Sequence, residues 1–349
     1  MKKYFCAVLA LMMLGVSLLS ACSPVVSDRP DCKSVDIFCV GLVTQLGKID
    51  DHGINQQVWE GIQKAKTGSK IEAYPIETVD IKDYDKNIDY FANAGFDVIF
   101  TVGSQQNSST RRVAAAFPNI DFIGVDQQPA SGEIIPSNLL YIKYQEDGSG
   151  FLAGILAAQV SKSKKIGAVC STDQVPFVWR YCEGFQAGAI YADPAVDVTV
   201  TYHADVSSEK AFKDTEWSIK TTRDMISNGA DVIFGVGDAA GQQALITGAE
   251  NGVYVIGSED DQYYAITPEL RGFVLSSAVK IGSDDVLDVI KSIQENKFEG
   301  AKIVSGKFGL APYHSLEKNI SISTKKSLVD ALKGLIDLSI STGVSESKP

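Results

Sequence analysis

A nine-residue segment that occurs twice sets the strongest limit on what this chain can fold into. Residues 95–103 read Gly-Phe-Asp-Val-Ile-Phe-Thr-Val-Gly, and residues 229–237 read Gly-Ala-Asp-Val-Ile-Phe-Gly-Val-Gly. A helix-like run precedes each copy, at 88–94 and 225–228, and a second follows, at 109–116 and 241–250. Each copy then reaches a short apolar strand that ends in an acid, Asp126 in the first and Glu259 in the second. The repeated unit is therefore helix-strand-helix-strand. Two copies of so long a unit point to two similar lobes and not to a solenoid of many short repeats.

The intervening sequence keeps the same alternation. Residues 37–43 form a continuous apolar run, the pattern of a strand buried on both faces of a parallel sheet. Residues 55–66 have helical spacing, 71–76 reads as a strand, 139–144 as another, and 148–160 as a helix rich in Gly and Ala that can sit close to its neighbours. After a polar break at 161–165 the pattern restarts, with a strand at 166–170, a helix at 178–191, a strand at 196–202 and a helix at 209–227. A strand at 273–279, a helix at 283–296, a strand pair within 302–310 and a last helix at 325–340 complete the chain. Strands alternating with helices of this length predict an α/β fold, two doubly wound parallel-sheet lobes joined by a hinge. The expected boundaries are a leader at 1–21, a tether at 22–34, a first lobe at 35–160 and a second at 164–275. Part of about 278–300 is expected to return to the first lobe, and 300–349 to pack across both.

In open parallel sheets ligands sit beyond the carboxyl ends of the strands, and clefts between domains favour small molecules. That places Gln45, Asp50, Asp51, Ser104, Gln105 and Asp126 on one wall of a cleft and Ser171, Gly237, Asp238, Glu259 and Asp260 on the other. Several of these have plainer readings. Asp50 and Asp51 suit the positive end of a helix dipole with no ligand role. Asn55 reads equally as a helix residue, and Lys280 as a solvated lysine. Phe177, Trp179 and Tyr181 read as core residues or as an aromatic platform.

The N-terminus bears on the compartment. Lys2 and Lys3 precede an apolar run at 4–18, and small residues lead directly to Cys22. This resembles the lipobox of bacterial lipoproteins, which implies lipidation of Cys22 and an anchor in the lipid bilayer. The polar, proline-bearing residues that follow read as a flexible tether. Formal charge is −11, and −13 without the two leader lysines, so a nucleic-acid partner is not expected. Cys32, Cys39, Cys170 and Cys182 remain for disulfides, with three connectivities possible. Pairing of sequence neighbours is favoured because it needs no contact between lobes. A metal site is not expected: no Cys-x-x-Cys occurs, and His52, His203 and His314 are distant in sequence from the cysteines. Serine-hydrolase elbow, zinc-protease and Walker motifs are absent, and the glycines around Gly237 do not complete a dinucleotide fingerprint. Neither an enzyme nor a cofactor is expected.

Residues 41–61, Gly-Leu-Val-Thr-Gln-Leu-Gly-Lys-Ile-Asp-Asp-His-Gly-Ile-Asn-Gln-Gln-Val-Trp-Glu-Gly, resemble the basic membrane protein or PnrA-like family of lipid-anchored, substrate-binding proteins of bacterial ABC transporters. The segments 255–262, 277–280 and 310–314 extend the resemblance. It implies a type I periplasmic-binding fold that encloses a nucleoside or related small polar ligand and delivers it to an ABC permease. It also implies ligand roles for Asn55, Asp126, Gly237 and Lys280. Three positions depart from the family pattern: Gln45 and Glu259 where Asp is common, and Ile54 where Phe meets the base. Ile54 cannot stack on a planar ring as Phe does, so aromatic contact is expected from Phe177, Trp179 or Tyr181. A sensory lipoprotein read by a membrane receptor is the alternative function.

Overall fold

The computed structural model describes residue 32, residues 36–51 and residues 53–345. The leader, Cys22, most of the tether and His52 lie outside the described residues.

The first lobe is built on a six-stranded sheet: β1 (Phe38–Leu46), β2 (Ile71–Thr78), β3 (Val98–Val102), β4 (Asp121–Val125), β5 (Leu139–Lys143) and the late β11 (Lys302–Ser305). Their order is β11-β5-β4-β3-β1-β2, and every pairing is parallel. Successive side chains of a strand point to opposite faces, so each apolar strand supplies two cores. Val40, Leu42 and Phe100 meet Ile54, Val58 and Ile62 of α1 (Ile54–Lys66) on one side. On the other, Val43, Ile99 and Phe122 meet Ile88 and Phe91 of α2 (Tyr84–Ala94) and Val113 of α3 (Asn107–Ala116).

The second lobe repeats the plan. Its sheet holds β6 (Lys165–Cys170), β7 (Asp197–Tyr202), β8 (Val232–Val236), β9 (Tyr254–Glu259), β10 (Val274–Lys280) and β12 (Phe308–Leu310). The order is β12-β10-β9-β8-β6-β7, with β12 the one antiparallel member. One face is covered by α4 (Glu146–Val160) and α5 (Pro176–Ala192), the other by α7 (Thr215–Ser227) and α8 (Asp238–Glu250). A short helix, α6 (Ser208–Lys213), precedes α7. The two copies of the opening repeat become β3 and β8, at equivalent positions in the two sheets.

Three expectations need correction. The Gly/Ala-rich helix α4, expected in the first lobe, belongs to the second: Phe151, Leu152, Ile155 and Leu156 share a core cluster with Phe185 of α5 and Leu275 of β10. Its small residues serve that contact, because a Cβ on Gly154 would lie 2.0 Å from Phe185 O and one on Gly188 1.9 Å from Phe151 O. Backbones this close leave no room for a side chain. Residues 302–310 are not a strand pair, since β11 joins the first sheet and β12 the second. The helix expected at 209–227 is two helices, because Asp214 breaks the run and its carboxylate accepts from Trp217 N at 3.0 Å, capping α7.

The chain crosses between lobes at three places: from β5 to α4 through Tyr144 and Gln145, from β10 through Ile281 to α9 (Gly282–Gln294), and from β11 to β12 through Gly306 and Lys307. Val286 and Ile290 of α9 pack in the first lobe beside α1. The last helix, α10 (Ile322–Ile336), lies against the second, with Leu328, Ala331 and Leu335 in the cluster that holds α4. The second and third crossings are tied by Ile281 N donating to Lys307 O at 2.8 Å and Lys307 N donating to Asp285 at 2.9 Å. Disulfides join Cys32 to Cys39 and Cys170 to Cys182, each within one lobe.

Candidate functional site

Strand order reverses between β1 and β3 in the first sheet and between β6 and β8 in the second. Such a switch point opens a crevice beyond the carboxyl ends of the two strands, because the connections leave in opposite directions. Gly103 and Gly237 follow β3 and β8, with φ of 91° and 98°. A Cβ on Gly103 would stand 2.7 Å from Gln45 Oε1, and one on Gly237 1.9 Å from Ser171 Oγ. The acids that close the next strands, Asp126 and Glu259, also adopt the left-handed region, with φ of 57° and 71°. Asp238 shares it at 47°. Non-glycine residues rarely hold this conformation, and clusters of it are characteristic of functional sites.

In the first lobe, Asn55 opens α1 and its Oδ1 accepts from Gln45 N at 3.0 Å, tying the helix to the end of β1. Asn55 Nδ2 is buried and has no hydrogen-bond partner among the described residues. Asp51 is committed to the same turn: its carboxylate accepts from Gly53 N at 2.9 Å and Gln56 N at 3.1 Å. That arrangement satisfies free amides at the start of α1, the plainer of its two sequence readings. Gln106, fully buried, donates to Thr44 O at 2.9 Å and Val102 O at 2.7 Å, fixing the loop in which Ser104 is exposed.

The charged centre lies between the lobes. Lys280, at the end of β10 and 4% exposed, places Nζ 2.9 Å from Asp126 Oδ2 of the first lobe. The same Nζ is 3.1 Å from Glu146 Oε1 at the start of α4. It also lies 5.6 Å from the ring centres of both Tyr144 and Phe177. Burial pushes the ammonium down, but Asp126 and Glu146 outweigh it and hold Lys280 well above the ordinary lysine range. Glu259 is pushed up to about 7, chiefly by burial, with Asp126, Asp238 and Asp51 adding to the effect against Lys280. Gln57 of α1 bridges the lobes, its Nε2 donating to Glu259 O at 3.2 Å and its Oε1 accepting from Gly282 N at 2.8 Å.

The second lobe adds aromatic surface. Phe177 is half-buried and lies parallel to Phe212 of α6, with ring centres 6.0 Å apart and planes 10° from parallel. Tyr181, one turn on, is fully buried, and its hydroxyl has no partner among the described residues. Trp179 stands about 200° round the helix from Phe177, on the side away from this face, and is buried. Ser171 Oγ, against Gly237, is also buried without a partner among the described residues.

Sequence reasoning missed Glu146, Gln57, Tyr144 and Phe212. Gln57 lies inside the family-like stretch, and a glutamate opening a Gly/Ala-rich helix was a signal for Glu146. Phe212 had only its position beyond β7. The segments 255–262 and 310–314 do meet: His314 Nε2 is 2.7 Å from Asp261 Oδ2, and its ring stacks on Tyr263 at 4.0 Å. Among the described residues no cluster of His, Cys, Asp and Glu could hold a metal, and no helix is long and apolar enough to cross a membrane.

Known proteins match along most of the chain. "Basic membrane protein A2" of Borrelia garinii subsp. bavariensis is 28% identical over 262 residues, 74% of each chain. "ABC transporter nucleoside-binding protein BmpA" of Lactococcus lactis subsp. cremoris is 26% identical over 322 residues, covering 87% of this chain and 89% of that one. Among solved structures, an ABC transporter solute-binding protein from Conexibacter woesei superposes with a TM-score of 0.73 at 20% identity, covering 87% of this chain and 98% of that one. One from Aeropyrum pernix gives 0.69 at 21%, covering 87% and 92%. These structures support the two-lobed periplasmic-binding fold. A family model described as "ABC transporter substrate-binding protein PnrA-like" matches residues 38–311. Proteins of this kind act outside the cytoplasm, bind a small ligand for an ABC permease, and are not enzymes. Since that match spans both sheets and the charged centre between them, the chain belongs to the PnrA-like family of ABC transporter substrate-binding proteins.

Proposed function

We propose that the ligand is a nucleoside or a close relative, enclosed between the lobes for import by an ABC permease. The observation that carries this reading is the meeting of both lobes at Lys280, which pairs with Asp126 of one lobe and Glu146 of the other. Asn55 Nδ2 in one lobe and Ser171 Oγ in the other are buried and have no partner among the described residues. A buried polar group without a partner costs about 1–3 kcal/mol, a penalty that a polar ligand would relieve. Asp126, Glu259 and Lys280 offer acceptors and a cation suited to vicinal hydroxyls, and hydrogen bonds to charged groups are the stronger kind. Phe177 and Phe212 offer aromatic faces for a planar base where Ile54 does not, and Trp179 is left out of the ligand set. Gln45, Ser104, Gly237 and Asp238 stand at the carboxyl ends of the switch-point strands β1, β3 and β8, while Asp51 acts by holding the start of α1. The relative named as nucleoside-binding supports the ligand class.

Ligand contact with both lobes would shift the population toward the closed form, since closure is driven by differential affinity for that form. The lipobox-like leader supports an anchor at Cys22. A thermal-shift panel of nucleosides, free bases and sugars tests the ligand. A nucleoside at 100 times its Kd adds about 2.7 kcal/mol of stability. A shift confined to another ligand class would overturn the nucleoside reading while leaving the fold intact.

A further inference from the structure

Lys280 has two ion-pair partners among the described residues, and they belong to different lobes. Asp126 is carried by the first sheet at the end of β4, whereas Glu146 opens α4 in the second lobe. Lys280 closes β10 of that same lobe, and Ser149 Oγ of α4 donates to Val279 O at 3.1 Å, fastening helix to strand. When the lobes part, Asp126 must leave with its sheet while Glu146 remains. Glu146 is also braced from behind. Its Oε2 lies 3.3 Å from Arg180 Nε, the Arg180 guanidinium also pairs with Asp147, and Asp147 Oδ2 accepts from Thr342 Oγ1 at 2.6 Å. The side chains of Glu146, Asp147 and Arg180 are 8%, 12% and 11% exposed, so this alternating row of charges is shielded from solvent.

A buried ammonium that loses its counter-ion is strongly disfavoured and tends to give up its proton. We propose that Glu146 is a positioning residue for ligand capture: it keeps Lys280 charged and aimed at the cleft while the lobes are open, without itself meeting the ligand. Arg180 and Asp147 hold Glu146 in place. Burial raises the proton affinity of Glu146, as does Asp126 nearby, with Lys280 and Arg180 opposing. Opening removes Asp126 and so favours the ionised Glu146 just when Lys280 depends on it. Glu146 and Lys280 also sit beside the first and second crossings, so the pair joins two hinge strands at the ligand cation. This inference rests on the reading that Lys280 is a ligand contact.

Two measurements on the full-length protein test it. Nucleoside affinity is measured by calorimetry, well below the melting temperature of each variant. Glu146→Gln is expected to raise Kd at least tenfold, with Glu146→Asp recovering most of the loss and Arg180→Met falling between. An unchanged Kd in folded Glu146→Gln protein overturns the proposal. The second measurement needs no ligand: the Lys280 ammonium is followed by nitrogen-15 NMR of labelled lysine, assigned by its loss in Lys280→Arg. Glu259 also favours the charged lysine and is ionised at pH 9, so it is removed in both arms: in Asp126→Asn/Glu259→Gln the ammonium should persist at pH 9, and in Asp126→Asn/Glu146→Gln/Glu259→Gln it should be lost by that pH. Loss in Asp126→Asn/Glu259→Gln, or persistence in the triple variant, would show that Glu146 does not hold the charge. If no nucleoside binds the wild-type protein, the nucleoside reading fails, and the lysine titration still decides the role of Glu146.

Discussion

Gly103 and Gly237, 134 positions apart in sequence, occupy the same place in the two lobes, each in a left-handed turn at a switch point. Each is pressed against a polar side chain at the end of the neighbouring strand, Gln45 in one lobe and Ser171 in the other. The duplicated backbone is thus shared between lobes while the polar group packed against it is changed. That difference makes the two switch points chemically distinct.

Substitution at either glycine should be destabilising for two reasons. An alanine in the left-handed region costs about 1–2 kcal/mol, and its Cβ would meet Gln45 Oε1 at 2.7 Å or Ser171 Oγ at 1.9 Å. Gly237→Ala should therefore lower the urea midpoint more than Gly103→Ala. Pairing it with Ser171→Gly, which removes the clash but not the strain, should recover part of the loss. Full recovery would mean that backbone strain is unimportant there.

The pH response should carry the signature of Glu259. Its pKa is raised from 4.5 to about 7 in the folded state, so between those values the folded protein holds a proton that the unfolded chain has released. Stability of the ligand-free protein should fall across that window as pH rises and then level off. Glu259→Gln should remove this component of the decline. A ligand whose hydroxyls donate to the carboxylate favours the ionised form, so affinity should weaken up to about tenfold per pH unit below 7. A pH-independent Kd between 5.5 and 8 in wild-type protein would exclude that contact.

Aromatic contact should come from Phe177 and not from Trp179. Phe177 lies parallel to Phe212 and beside Lys280, while Trp179 is buried about 200° round the helix. Base stacking is worth about 1–3 kcal/mol, so Phe177→Ala should raise Kd roughly 5- to 150-fold. Trp179→Ala should lower the melting temperature with little change in Kd measured on folded protein. The reverse pattern in calorimetry would move the base site to the other side of α5.

The proposed anchor at Cys22 makes a separate prediction. Wild-type protein expressed in its host should partition into detergent phase and incorporate radiolabelled fatty acid, and Cys22→Ala should do neither. Equal labelling of both would refute lipidation at this residue.

The linear chain made the lobes legible because apolar strands and amphipathic helices are local patterns, and because the pattern repeats. The strand-end acids Asp126 and Glu259 and the late Lys280 could likewise be named, the first two from strand position and the third from a resemblance. Local patterns could not assign α4 to its lobe, since an all-round apolar helix is compatible with either sheet and only contact with Gly184 and Gly188 of α5 resolves it. Nor could they separate β11 from β12, two short strands with only Gly306 and Lys307 between them that end in different sheets. Phe177 and Trp179 looked interchangeable until the rotation of α5 put them on opposite sides. Sequence determined most of the elements, the duplication and several groups of the candidate site, because these depend on residue type and spacing. Tertiary structure alone decided that Lys280 is shared between Asp126 and Glu146, because that contact joins residues 154 and 134 positions apart through packing that no local pattern encodes.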